Sequence, residues 1–183
     1  KAIAMACLLA WLVKNPAIWE KRPAMFSVNL SATSLVDDRF LEFIGACLNK
    51  AKLPRGTIGF EVSDEVAQSS GDAFAKLATA LQSYGCPLVL DDFTWNAASV
   101  ELLRSRGVRM LKLHPLMTAD VATDVIKRAQ VAALVQLSRV LGLRNLADLA
   151  PGAPDASPRP WYGHRSNDPD GGEWQEIDLL GLA

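Results

Sequence analysis

Apolar positions along the chain follow two spacings, which predict helices and strands in alternation. Residues at the three- and four-residue spacing of a helix predict helices over 37–51, 72–84, 97–106 and 119–141, and an apolar run predicts another over 2–13. Short apolar segments that lead into polar residues predict strands over 24–31, 57–64, 87–92, 108–114 and 143–149. Gly85, Gly107 and Gly142 follow three of the helices, where a C-terminal glycine belongs.

The order of these elements predicts an α/β fold built on a parallel sheet, because each strand is followed by a helix that can cross back over the sheet. Two architectures fit that order, a doubly wound open sheet and a (β/α) barrel. No glycine-rich phosphate-binding loop follows any strand, which weakens the first of them. Both architectures stay open on the pattern alone, and a TIM-like barrel would be incomplete, because only about five βα units are visible.

The composition changes after Ala150. Residues 151–173 hold prolines at 151, 154, 158, 160 and 169 and glycines at 152, 163, 171 and 172. Both residue types interrupt helices and strands. We therefore expect a barrel portion over 1–150 and an irregular Pro/Gly-rich tail, loop or arm over 151–183, with one short helix over 174–182.

Charge and cysteine content narrow the functional classes. The chain has 19 Lys and Arg against 20 Asp and Glu, a net charge of −1, which disfavours binding to DNA through a basic surface. Its three cysteines match neither a zinc site nor a disulfide framework, and their apolar neighbours predict buried, reduced thiols in a cytoplasmic protein. The apolar run at 2–13 is shorter than the about 20 residues that cross a membrane, so we expect no membrane span.

Polar side chains stand at or near the C-terminal ends of the predicted strands, where a (β/α) barrel carries its chemistry. They are Asn29, Glu61, Asp91, Asp92, Lys112 and Asp148. Carboxylate and amide oxygens are the ligands that Mg²⁺ and Mn²⁺ prefer, so this set predicts a hard-cation site. The adjacent pair Asp91–Asp92 suits two-metal hydrolysis of a phosphodiester.

Several of these residues also have a purely structural interpretation. Asn29 could cap the loop that follows it, and Asp91–Asp92 could cap the next helix. Lys112 lies between Leu111 and Leu113 and could extend its amine from an apolar surface into solvent. Both interpretations stay open on the residues alone.

Four of the strand ends resemble motifs of the EAL-domain family. Residues 26–31 are similar to its VNLS motif, and Glu61–Asp64 is similar to its ExTE motif. Leu90–Phe93 matches its DDFG motif, and Leu111–His114 resembles its KID motif. The order and spacing of these motifs fit the family over about residues 1–150.

The resemblance implies an EAL-type modified TIM barrel that hydrolyses cyclic-di-GMP with two divalent metals, Mg²⁺ or Mn²⁺. It implies that Asn29, Glu61, Asp91 and Asp92 are metal ligands and contact the dinucleotide together with Lys112. Lys112 would lie near the attacking water and the phosphate. Asp148, in the position of the first Glu of the family's AEGVE motif, is a weaker catalytic candidate.

The chain departs from the family pattern around that site. The Glu-Ala-Leu motif that names the family is absent from this sequence, so one carboxylate ligand is missing. Thr94 and Asn96 replace the glycines of the family's DDFGTG loop, with a bulky Trp95 between them. Asp64 is one methylene shorter than the family's Glu, and His114 replaces an Asp and is expected on the same side of its strand as Lys112.

These departures favour a degenerate EAL module, catalytically weak or inactive, that binds cyclic-di-GMP or a protein partner as a regulatory element beside another signalling domain. The alternative is an active phosphodiesterase, producing linear pGpG, whose first strand lies outside this chain. A third hypothesis is a protein-interaction scaffold that binds no nucleotide. A homodimer formed through the helix after DDFG is compatible with all three.

Overall fold

A six-stranded sheet with helices packed against it organises the part of the chain that the computed structural model describes, residues 2–20, 25–147 and 175–176. The strands are β1 (Phe26–Asn29), β2 (Ile58–Ser63), β3 (Leu88–Phe93), β4 (Val108–Leu113), β5 (Arg144–Ala147) and β6 (Gln175–Glu176). The helices are α1 (Ala2–Lys14), α2 (Ala17–Glu20), α3 (Ala32–Leu35), α4 (Asp38–Ala51), α5 (Asp64–Ser69), α6 (Gly71–Tyr84), α7 (Ala97–Leu102), α8 (Pro115–Thr118) and α9 (Val125–Leu141).

The strands lie side by side in chain order, from β1 to β6. Strands β1 to β5 are parallel, and β6 joins β5 in the antiparallel direction. A doubly wound sheet reverses its strand order at a switch point, whereas consecutive parallel strands with intervening helices are the arrangement of a (β/α) barrel. The order therefore confirms the predicted α/β, TIM-like fold.

One face of the sheet is covered by helices and carries the main hydrophobic core. Phe60, Leu88 and Leu111 project from three neighbouring strands into this core and are fully buried. Phe74 and Leu81 of α6 are buried in the same cluster. Removal of these side chains from water is the main force that holds the helices on the sheet.

A second, smaller cluster marks the opposite face of the sheet. It consists of Met25, Val89, Met110 and Leu146, and Val89 alternates along β3 with residues of the main core. Gly59 makes room for Met25 of this cluster, because a Cβ atom at position 59 would lie 2.8 Å from the Met25 sulfur. The strand ends that carry the candidate site rise from this face.

The last long helix begins later than the sequence predicts. Residues 119–141 were expected to form one helix, but Pro115–Thr118 forms a separate turn of helix and α9 starts at Val125. Asp120 has a φ of +60°, which interrupts the helical backbone. The Asp124 side chain then accepts hydrogen bonds from the Ile126 and Lys127 backbone amides at 2.8 and 3.1 Å and caps α9.

The predicted terminal helix and buried thiols also differ from the structure. Gln175–Glu176, placed by the sequence in a short helix, pairs with β5 as a strand; the rest of the predicted tail, and Asp148, lie outside the described residues. Cys86 is buried as expected, but Cys7 is exposed, because α1 is apolar on every side and only one of its faces meets the core. No helix within the described ranges is long and apolar enough to cross a bilayer.

Candidate functional site

Five of the six predicted site residues lie on four adjacent parallel strands. Asn29 ends β1 and is level with Glu61 of β2 in the strand register. Asp91 of β3 is level with Ser63 at the end of β2. Because these strands are parallel, their carboxyl ends meet at one edge of the sheet, as the sequence predicts.

Three of these side chains project from the same face. Glu61 stands between Phe60 and Val62, which belong to the helix-side core, and Lys112 stands between Leu111 and Leu113 of that core. Asp91 follows Leu90, another member of it. Since successive strand residues alternate in direction, Glu61, Asp91 and Lys112 point to the face that the helices leave open.

Lys112 and Glu61 form a buried ion pair. The Lys112 Nζ atom lies 2.5 Å from Glu61 Oε2, and the two side chains are 4% and 1% exposed. The interpretation of Lys112 as a side chain that reaches solvent is therefore wrong. The second carboxylate oxygen, Glu61 Oε1, is buried and accepts no hydrogen bond from the described residues.

A β-bulge places the two aspartates against Lys112. Leu90 pairs with Leu111 and Phe93 pairs with Leu113, so Asp91 and Asp92 together oppose the single residue between those partners. The extra residue keeps Phe93 in the helix-side core. The bulge changes the direction in which the two carboxylates at the end of β3 point.

The bulge also sets the surroundings of each carboxylate. Asp92 is exposed and adopts a left-handed backbone with φ of +53°, while its N–H donates to Asp91 Oδ1 at 3.0 Å. Burial raises the pKa of the Asp91 carboxyl, Lys112 opposes this, and the carboxylates of Glu61 and Asp92 add to it. Asp91 thus lies within electrostatic reach of all three neighbours.

The loop after β3 is fixed by a buried carboxylate that the sequence analysis noted only as shorter than its family counterpart. Asp64 is 3% exposed, and its Oδ2 accepts hydrogen bonds from Ser99 Oγ at 2.6 Å and from Thr94 Oγ1 at 3.1 Å. The Thr94 N–H also points to it at 3.4 Å. These contacts tie the loop to both α5 and α7.

The sequence analysis missed Gln68 and Ser99 of this network, and the capping role of Asn96. Gln68 Nε2 donates to Ser99 Oγ at 3.0 Å. Asn96 caps α7, accepting from the Ser99 N–H at 2.9 Å, and its amide donates to Thr94 Oγ1 at 2.9 Å. The capping role considered for Asp91–Asp92 therefore belongs to Asn96, and the Asn-x-x-Ser spacing was the available signal.

His114 takes a different position from the one predicted. The alternation of β4 was expected to place it beside Lys112. It instead follows the last residue of the strand and caps α8, with its Nδ1 accepting the Leu116 N–H at 3.1 Å. Strand alternation no longer applies to a residue outside the strand.

The described residues around Glu61 fit a divalent cation by donor type but not by grouping. The donor types suit Mg²⁺ or Mn²⁺, and the unsatisfied Glu61 Oε1 is a free ligand atom. Among residues 2–20, 25–147 and 175–176, however, no group of three or more His, Cys, Asp or Glu is arranged to hold an ion. The ammonium group of Lys112 already holds the other oxygen of Glu61, where it supplies the positive charge that a metal would supply.

Comparison with known proteins agrees with the strand-end motifs. The model of the family described as "EAL domain" matches residues 3–149. The chain belongs to the EAL domain family. Its run of consecutive parallel strands agrees with that membership.

Several named EAL proteins are similar to this chain. The cyclic di-GMP phosphodiesterase PdeB of Shewanella oneidensis is 25% identical over 138 residues, 75% of this chain and 16% of PdeB. The cyclic di-GMP phosphodiesterase PdeF of Escherichia coli is 27% identical over 133 residues, 72% of this chain and 17% of PdeF. The chain thus spans about a sixth of the length of these two relatives.

The fold is also that of solved EAL domains. The EAL domain of Xanthomonas citri FimX, determined in complex with c-diGMP, superimposes with a TM-score of 0.72 at 17% sequence identity. The match covers 85% of this chain and 59% of that one. The EAL architecture therefore holds although few residues are shared.

Proposed function

We propose that this chain is a degenerate EAL module that binds cyclic-di-GMP and hydrolyses it weakly or not at all. The names of PdeB and PdeF, and the ligand of the FimX EAL domain, support cyclic-di-GMP as the ligand class. The ligand would contact the strand ends at Asn29, Glu61, Asp91, Asp92 and Lys112. A protein partner or a neighbouring signalling domain in the cytoplasm would receive the signal.

The observation that carries this proposal is the buried pair between Lys112 and Glu61. A hydrolytic metal needs several oxygen ligands placed around one point, and positioning accounts for much of a metal enzyme's rate. Here one of the carboxylates is already neutralised by an ammonium group. Asp92 is exposed on a bulge, and no three carboxylate, imidazole or thiol groups of the described residues are arranged to hold an ion.

The charges at the site disfavour a dinucleotide that binds through its phosphate groups alone. The carboxylates of Glu61, Asp91 and Asp92 outnumber the one ammonium group of Lys112, and burial, with the two neighbouring carboxylates, raises the pKa of Asp91. An anionic dinucleotide gains little from such a site without added cations. Contacts to its bases are then the main source of affinity.

An active phosphodiesterase is the second candidate function. The retention of Asn29, Glu61, Asp91, Asp92 and Lys112, and the phosphodiesterase names of the relatives, favour it. In that case a strand from outside this chain would supply the missing carboxylate, and Lys112 and Asp148 would take part in catalysis. Comparing this chain with a longer one that includes a Glu-Ala-Leu strand separates the two candidates.

Calorimetric titration with cyclic-di-GMP tests the binding half of the proposal. We expect saturable binding by the purified chain, in Mg²⁺ or Mn²⁺ buffer and again with a chelator. The matched control is Asp38→Asn, which removes an exposed negative charge on α4, away from the strand ends, and should bind as the wild type does. An intact fold without any heat of binding would contradict the proposal and favour a protein-interaction scaffold.

A further inference from the structure

A tryptophan lies in the loop that leads away from the candidate site. Trp95 is separated from Asp92 by two residues, at the same edge of the sheet as the strand ends. It stands where the family's motif has a small side chain. Its side chain is 38% exposed, so part of the indole is accessible to a ligand.

The backbone on both sides of Trp95 is held in place. On one side, Thr94 is bound through its N–H and its hydroxyl to the buried carboxylate of Asp64. On the other, Asn96 caps α7 through Ser99 and donates to Thr94. The indole is therefore presented on a fixed support, and only its two side-chain torsions stay free to adjust to a ligand.

The chemistry around Trp95 selects the kind of group it can bind. The nearby carboxylates of Asp91 and Asp92 repel phosphate, whereas the flat face of a purine carries no net charge. An indole ring stacks on the face of a nucleic acid base without needing an opposite charge. Nearby carboxylates therefore weaken this contact less than they weaken an ion pair with a phosphate. A fixed indole also loses little conformational freedom on binding.

We propose that Trp95 is the stacking platform for one guanine base of the bound dinucleotide. This inference rests on the proposed binding of cyclic-di-GMP and adds a residue that determines the affinity for it. The base would lie against the indole at the edge of the sheet, with the phosphates directed away from the carboxylates of Asp91 and Asp92. Affinity then comes from an aromatic contact in place of the metal-bridged phosphate contact of an active hydrolase.

The test uses two exposed tryptophans of the same chain. Trp95→Ala removes the platform, Trp95→Phe keeps an aromatic face, and Trp11→Ala removes a 47% exposed indole on α1, in the helix layer. Calorimetry with cyclic-di-GMP should show about 5- to 150-fold weaker binding for Trp95→Ala. Trp95→Phe should lose only a few fold, and Trp11→Ala should bind as the wild type does.

Two further readouts keep the outcomes distinct. Ligand should quench the tryptophan fluorescence of the wild type and of Trp11→Ala, and this quenching should be lost in Trp95→Phe. Trp95→Ala binding within about twofold of the wild type overturns the inference while leaving the proposed function in place. A wild type that binds no cyclic-di-GMP overturns both, and a variant that changes only the oligomeric state assigns Trp95 to self-association instead.

Discussion

Lys112 on β4 and Glu61 on β2 form a buried ion pair, with 2.5 Å between Nζ and Oε2. They are not on neighbouring strands, because β3 lies between β2 and β4. The pair therefore spans the open face of the sheet above β3. Burial of two charges is costly, and each side chain makes the burial of the other tolerable.

Replacement of Lys112 by Met should strongly destabilise the protein. The variant leaves the Glu61 carboxylate buried without its positive partner, and breaking such pairs costs about 3–5 kcal/mol. Urea unfolding followed by circular dichroism measures the change. The matched control is Lys76→Met, which breaks an exposed ion pair with Asp38 and should cost at most about 1 kcal/mol.

The double variant Glu61→Gln/Lys112→Met separates the ion pair from general packing. The double variant leaves no unpaired charge at position 61, so the part of the loss that comes from the unpaired Glu61 carboxylate should be recovered. Asp91 loses the charge of Lys112 in both variants, so that part of the loss should be common to them. Equal destabilisation of the single and double variants would show that the aliphatic stem of Lys112, and not its charge, supports the site.

Asp64 should be required for the order of the loop after β3. Asp64→Asn places an amide among the donors of Ser99 and Thr94, where two hydrogen bonds are lost or reversed, at a cost of about 1–3 kcal/mol. Amide hydrogen exchange at Thr94 should become faster. Glu65→Gln, a change at an exposed neighbour in the same helical turn, is the control, and equal effects of the two variants would contradict this role.

The cysteines should differ sharply in reactivity. Burial raises the pKa of the Cys86 thiol to about 11, against the opposing charge of Arg55, so this thiol stays protonated and shielded in the folded chain. Cys7 is exposed. Alkylation of the native protein below pH 9 should label Cys7 and spare Cys86, and unfolding in denaturant should expose both.

The same pKa shift makes stability depend on alkaline pH. The unfolded chain loses the Cys86 proton near its usual pKa of 9.0, whereas the folded chain keeps it until about 11. The unfolded state therefore binds fewer protons between these values, and the free energy of unfolding falls as the pH rises through that window. Cys86→Ala should flatten this part of the pH profile, and an unchanged slope would contradict the assignment.

Strand positions and site residues were predictable from the sequence because each depends on local pattern. A polar residue at the end of an apolar strand marks the strand boundary, and in a parallel sheet it also marks one edge of the sheet. This pattern predicted the positions of Asn29, Glu61, Asp91 and Lys112. The family motifs added the order of these strands. The late start of α9 was missed, although Asp120 and Asp124 carry turn and capping signals within the predicted helix.

Contacts between distant residues were not predictable in the same way. The pairing of Lys112 with Glu61 depends on the face and height of two strands that are separated by a third. The bulge at Asp91–Asp92 depends on how two strands match in length, which neither strand shows alone. Burial of Cys7 was wrongly predicted because an entirely apolar helix gives no sign of which face meets the core.

We propose that this EAL module binds cyclic-di-GMP without efficient hydrolysis. Chromatographic analysis of cyclic-di-GMP incubated with the purified chain, in Mg²⁺ and separately in Mn²⁺, tests it most directly. The buried pair of Lys112 and Glu61 predicts no linear pGpG above a protein-free control, under conditions where calorimetry detects the bound dinucleotide. Sustained, metal-dependent production of linear pGpG by the wild-type chain would contradict the account.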